Sequence, residues 1–341
     1  MKSHAKLTGL MVAGIVFLSS LVAPLAAKER SYASTKHIMT LDGKSVGFVD
    51  GLEGGTIVAD VIEESAGSSL FTKKRIGTLR YEEFAVKVSP GMDGAVYDWI
   101  AKSWSMKAER KSGSLVLADM QLQAQSERQF VNALITETTI PALDAGSKEP
   151  THITLRFAPQ SIRVVKASGK VEGDVLKNAQ RMFVSACFRL QIDGLDCTRI
   201  SHIDSFTVKQ LEGVGSVGAG RTVTREAGKV VFPNLKVTLA ESTAQSWLDW
   251  HESFVVQGNN DDKAEKNGTL ELLSPDLQTT LARVRFFNAG IFSIRPDTAK
   301  ASFEQPPRVI AELYVERMEF EAGSTGTTLP STTPSVPLRR G

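Results

Sequence analysis

The feature that most constrains this chain is an internal repeat. Leu41-Asp42-Gly43 returns as Ile192-Asp193-Gly194, and Asp98-Trp99 returns as Asp249-Trp250, both displaced by 151 positions. The same displacement lays LRYEEFAVKV (79–88) on VVFPNLKVTL (230–239), where Phe84, Val86 and Val88 alternate as Leu235, Val237 and Leu239 do. Alternation at period two predicts a strand with one buried face in each copy. Farther on the displacement grows by a few residues, as small loop insertions require. Lys111–Leu117 then meets Lys266–Leu272, Phe130-Val131-Asn132-Ala133 meets Phe286-Phe287-Asn288-Ala289, and Thr151–Val165 meets Arg308–Glu321. The repeating unit is about 130 residues, the size of an ordinary domain.

All four tryptophans fall in two related stretches, GMDGAVYDWIAKSW (91–104) and ESTAQSWLDWHESF (241–254). In the first, Asp93 is placed to cap a helix whose face is Val96, Trp99, Ile100 and Ser103. In the second, Ser242 with Gln245 predicts a capping-box start, and Ala244, Trp247, Leu248 and His251 line the face. Trp99, Trp104, Trp247 and Trp250 are expected in the core, each contributing up to about 5 kcal/mol by burial. Each unit therefore reads as strand, long turn-rich hairpin, strand, helix, then three or four strands. One sheet cannot bury an apolar face alone. The expected fold class is mainly β (α+β), with two tandem β-barrel domains, each plugged by one flanking helix.

The expected organisation is a domain over 36–167, a linker over 168–186 with a short helical stretch DVLKNAQRM, a second domain over 187–322, and a disordered tail over 323–341 rich in Ser, Thr and Pro. Residues 1–27 have the pattern of a signal peptide: Lys2 and Lys6, an apolar run from Leu7 to Leu25, and small residues ending at Ala27. An uncleaved anchor is the alternative, since about 20 apolar residues span a bilayer. Export would carry Cys187 and Cys197 into an oxidising compartment. Two readings stay open for them, a small disulfide loop worth roughly 2 to 3 kcal/mol or two free thiols. In a simple hairpin turning at Asp193-Gly194 they would not lie opposite one another, which counts against the bridge.

The residues that could carry chemistry do not assemble into a site. A net charge of +2 with no concentrated basic stretch argues against nucleic-acid binding. His37, His152, His202 and His251 are scattered, without a pair at ligand spacing or a cysteine cluster, so no metal and no cofactor is expected. Gly213–Gly218 spells G-x-G-x-x-G, but AGRTVTREAGKVVF follows rather than a helix N-terminus that could receive phosphate. Asp98 and Asp249 lie in separate copies of the same helix, where a solvated face is their expected role. No G-x-S-x-G elbow is present, and the chain is read as a non-enzyme.

Several features together resemble the T4-like bacteriophage tail tube family, whose architecture the inner-tube proteins of type VI secretion share. They are the Asp-Gly-Leu turn, the Leu-x-(Tyr/Phe)-x-x-(Phe/Leu)-x-Val strand, the Asp-Trp helix, the Gly-x-Leu strand, Phe-Asn-Ala, and a last strand like AELYVERMEFE. The resemblance covers both repeats, about Lys36–Val165 and Cys187–Ala322. It implies two tandem tail-tube-like barrels, each with a flanking helix and a hairpin arm that touches neighbouring subunits in a ring. Six copies close the ring in single-domain tubes, so three chains of this fused form would supply six positions. The sequence departs from the family where Leu134-Ile135 and Gly290-Ile291 follow the Asn-Ala pair in place of a tryptophan, and in its export leader.

The expected function is an exported structural protein that self-assembles into rings or a tube-like conduit. The alternative is an exported, non-catalytic binding module for an envelope component, surface polymer or partner protein. Lys73, Lys74 and Arg75, on the first hairpin arm, are the expected charged contact with another copy; a solvated loop tip is the plainer reading.

Overall fold

The computed structural model describes residues 35–64, 71–89, 92–173, 176, 183–217, 223–298 and 306–323. The expected leader, the expected tail beyond Gly323 and all but Leu176 of the expected linker helix lie outside the described residues. In the first half the chain runs β1 (Lys36–Leu41), β2 (Lys44–Gly54), the arm strands β3 (Ile57–Glu64) and β4 (Lys73–Tyr81), β5 (Phe84–Val88), α1 (Gly94–Trp104), β6 (Lys111–Ala118), β7 (Ala124–Ile140), β8 (Leu143–Asp144), β9 (Ile153–Ala158) and β10 (Ser161–Val165). The second half gives β11 (Phe188–Ile192), β12 (Ile200–Ile203), the arm strands β13 (Phe206–Val217) and β14 (Val223–Val231), β15 (Leu235–Ala240), α2 (Gln245–His251), β16 (Lys266–Leu273), β17 (Thr280–Pro296) and β18 (Arg308–Ala322). The order repeats, except that β8 has no counterpart and β18 runs through the stretch that β9 and β10 divide.

In the first half the path β7-β6-β1-β2-β5-β9 returns to β7 and closes a six-stranded barrel. In the second, β11-β16-β17-β18-β15-β12 keeps the same neighbours in the same order but stays open between β11 and β12. The turn explains the difference. Asp42-Gly43 holds Leu41 opposite Lys44, so β2 continues the ladder. After Gly194 the chain leaves the ladder instead. The Asp196 N–H donates to Ser246 Oγ at 3.0 Å, and its carbonyl accepts the Trp247 indole N–H at 2.9 Å. Backbone that would have completed the barrel is tied to α2.

The Phe-Asn-Ala motif has one physical role in both halves. An extra residue in β7 between Phe130 and Ala133 bulges the pairing with β6, and the same bulge lies between Phe286 and Ala289 against β16. Asn132 and Asn288 take left-handed φ values of 51° and 53°, a region asparagine tolerates better than most residues. Each backbone N–H donates to a side chain on the partner strand, Ser112 Oγ and Asn267 Oδ1. Each side-chain amide donates across the sheet, to Gln160 Oε1 at 2.9 Å and Glu316 Oε2 at 2.8 Å. Phe130 and Phe286 pack against Gly113 and Gly268, where a Cβ would stand 2.9 Å and 2.2 Å from the ring. Trp99 and Trp250 each donate an indole N–H to a loop carbonyl, Glu109 at 2.8 Å and Ala264 at 3.1 Å.

The alternating residues Phe84, Val86, Val88, Leu235, Val237 and Leu239 are all buried, as are the four tryptophans. They belong to one apolar cluster that runs through both halves and includes Phe183 from the expected linker. The side chain of Asp93 accepts from the Ala95 N–H and caps α1. The capping box expected at Ser242 does not form. Glu241–Thr243 makes a 3-10 turn, Ala244 precedes α2 without a side-chain cap, and the helix runs on into a π turn, Glu252–Val256. The buried face of α2 is Ala244, Trp247 and Trp250, with Leu248 turned outward. Cys187 and Cys197 are free. Cys187 precedes the whole of β11, and Cys197 lies just past the turn, where the chain has left the ladder and forms no hairpin with β11. Burial pushes the Cys197 thiol up to about 11.

Candidate assembly interface

A strand ladder and a helix contact join the two halves. Past the point where β6 leaves it, β7 offers a free edge, and β13 pairs there: Phe206 opposite Ile140, Thr207 opposite Thr139, Val208 opposite Thr138 and Lys209 opposite Glu137. The Thr139 and Thr207 hydroxyls lie 2.8 Å apart, and Lys209 Nζ is 3.1 Å from Glu137. Leu143 and Asp144 of β8 add a short ladder to β12. Above this edge α1 lies on β18. Tyr97 stacks on Phe320 with ring centres 6.2 Å apart, Trp104 meets the same ring edge-on at 5.4 Å, and Ser103 Oγ donates to buried Gln210 Oε1 at 3.1 Å. Trp99 turns the other way, onto Phe157 of its own barrel. The expectation that the helix serves one barrel holds for Trp99, whereas Tyr97 and Trp104 serve the other half.

This joint is heterologous: the first half brings a helix and a strand edge, the second an arm and the face of β18. Each half also carries the surface that the other one uses. The arms correspond residue by residue at the 151-position displacement. Val58–Arg80 and Ala59–Leu79 pair, followed by a bulge to Val61–Ile76, just as Lys209–Val231 and Gln210–Val230 precede a bulge to Glu212–Ala227. Phe320, 3% exposed in the joint, corresponds to Val164 on β10, 60% exposed. Val208, 3% exposed, corresponds to Ile57 on β3, 42% exposed, and buried Val230 corresponds to exposed Leu79. On the opposite surface Tyr97, 6% exposed, corresponds to Leu248, 39% exposed, and buried Trp104 to exposed Val255.

Among the described residues β3 and β4 pair only with each other. Of the residues singled out for charge, Lys74 forms an ion pair with Glu63 at 2.7 Å, Arg75 one with Glu64, and Lys73 sits opposite Glu64 across the arm. Lys74 and Arg75 thus already have charged partners within their own hairpin. Ile57, Leu79, Val164 and Val255 were not read from the sequence as contact positions, and Leu248 was expected on the buried face of its helix rather than exposed. The signal was available, since aligning the halves puts each beside a residue that is buried, but only the docked halves reveal which positions the joint covers.

Among the described residues no group of three or more His, Cys, Asp or Glu side chains is placed to hold a metal ion. His152 lies 3.1 Å from Asp50, and His202 lies 3.2 Å from Asp204, on separate parts of the surface. Asp98 is exposed, and Asp249 accepts from Gln245 at 2.7 Å along its own helix. Gly213 lies in β13, paired with Glu226, rather than ahead of a helix. Among the described residues no helix is long and apolar enough to cross a membrane.

No protein-family model and no curated protein matches the sequence. Among solved structures, the chain is similar to a chain of the sheath-tube complex of an extracellular contractile injection system, PVC, in its extended state. That match has 16% identity over 40% of this chain and 88% of the other, with a TM-score of 0.31. It is also similar to a chain of the tube-terminating cap of the anti-feeding prophage, with 15% identity, 42% and 94% coverage and a TM-score of 0.31. A third is Hcp1 from Flavobacterium johnsoniae, with 14% identity, 40% and 95% coverage and a TM-score of 0.25.

Proposed function

We propose that this chain is one tube-like unit duplicated in tandem, and that it works as an exported structural protein which assembles head to tail with copies of itself. It catalyses no reaction. The observation that carries this reading is the exposure pattern: the apolar positions that bury the joint between the halves are repeated, uncovered, on each half's unused surface. A heterologous contact that leaves its own complement free repeats indefinitely, giving a closed ring if the rotation divides a full turn and a filament if it does not. Three chains supply six equivalent positions. Fusion makes every second contact intramolecular, which raises its effective concentration. Lys73, Lys74 and Arg75 lie on the arm that enters the neighbour, and export follows from the leader over residues 1–27.

Sedimentation of the protein beginning at Lys28 tests this directly. A mass of three chains, or stacked multiples of three, is expected. Leu248→Glu with Val164→Glu should yield a monomer that keeps the native melting behaviour, because both side chains are exposed in the single chain. A native protein that stays monomeric at high concentration overturns the reading and favours an exported binding module.

A further inference from the structure

Resting on that self-association, we infer that the contact between chains is a strand addition of fixed register, in which β3 of one copy extends the free edge of β17 in the next, with Ile57 opposite Ile294. Beyond Ala289 no β16 residue pairs with β17, so among the described residues Ser293–Pro296 has β18 on one side and no strand on the other. The side of β3 away from β4 is likewise without a strand among the described residues. Open edges with unpaired N–H and C=O groups are templates for another strand.

The register comes from the joint inside the chain. Moving the β13 positions back by 151 and the β7 positions forward by 156, the shift that superposes Asn132 on Asn288, turns Val208–Thr138 into Ile57–Ile294. Thr207–Thr139 becomes Thr56–Arg295, and Lys209–Glu137 becomes Val58–Ser293. Phe206–Ile140 becomes Gly55–Pro296, where the missing proline N–H ends the ladder. Docked this way, the β3–β4 arm brings Leu79 to the neighbour with Ile57, and Val164 takes the place of Phe320 over the neighbour's α2. Ile57, Leu79, Val164, Leu248 and Val255 then all lie within the one contact. The partner is a second copy of this chain, since the register is its own.

Cysteine pairing reads the register. Protein carrying Ile57→Cys is mixed with protein carrying Ile294→Cys and oxidised mildly. Directly opposed strand residues lie within disulfide reach, so a covalent two-chain product is expected in at least about tenfold excess over the mixture of Ile57→Cys with Arg295→Cys, whose side chains leave opposite faces. The unsubstituted protein, whose two thiols are retained throughout, sets the background. Sedimentation of each reduced variant at the native mass establishes that it still folds and associates. Associated protein without the excess product overturns this register and leaves self-association standing. Protein that does not associate at all, native or substituted, overturns both.

Discussion

The joint between the halves and the two open ends of the chain are the same surfaces in different states, and the contrast lies in size. Where the halves meet, the helix offers Tyr97 and Trp104 to Phe320, and an ion pair and a hydroxyl pair back the strand ladder. At the open ends the same positions hold Leu248, Val255 and Val164, with Val58 and Ser293 where the ion pair stands. An aromatic trio buries far more apolar area than three aliphatic side chains. A contact that holds one folded chain together has to be strong. The proposed contact between copies can be smaller, leaving less apolar surface uncovered on the single chain.

The contrast should be largest for Phe320→Ala, which empties the centre of the joint and is expected to cost about 3 to 5 kcal/mol in denaturant unfolding. Val164→Ala, at the matching exposed position, should change the unfolding of the single chain by less than about 0.5 kcal/mol. Equal effects would mean the two positions are not equivalent. Next in size is Ser103→Ala. It leaves the buried Gln210 side chain without the donor that now serves its oxygen, and should cost about 1 to 3 kcal/mol. Phe254, in the π turn that follows α2, occupies the corresponding place, so no such polar link exists at the open end, and a full-strength Ser103→Ala effect would mark the joint as the more specific of the two.

The smallest effect is a pH dependence of the second half alone. Burial raises the Cys197 thiol to about 11, above its value in an unfolded chain, so the neutral thiol is favoured by folding. That contribution is complete below about pH 9 and fades as pH rises toward 11, and Cys197→Ser should remove this part of the alkaline loss. Alkylation of either thiol in the folded protein at pH 8 should be slow, and fast labelling of Cys197 would contradict its burial.

Period-two alternation, the Asp-Trp helices and the displaced motifs were legible in the sequence because each depends on residues close together in the chain. The spacing of Phe84, Val86 and Val88 decides which face of a strand is buried wherever that strand sits. The second helix start was not legible. Ser242 and Gln245 satisfy the pattern of a capping box, yet Ser246 and the Trp247 indole are held by Asp196 from across the fold. A local motif lost to a tertiary contact. The glutamates beside Lys74 and Arg75 were not legible for a related reason, since Glu63 and Glu64 come next to them only once β3 and β4 pair.

The sequence by itself determined that the chain repeats one β-rich unit with a tryptophan helix in each copy, because covalent order and side-chain period are fixed before folding. Only the tertiary structure decided that α1 reaches across to Phe320, that one barrel closes while the other stays open, and which apolar residues are left uncovered. Those outcomes depend on how two nearly equivalent surfaces share a single partner: within one chain one of each is consumed, and no property of the residues themselves says which.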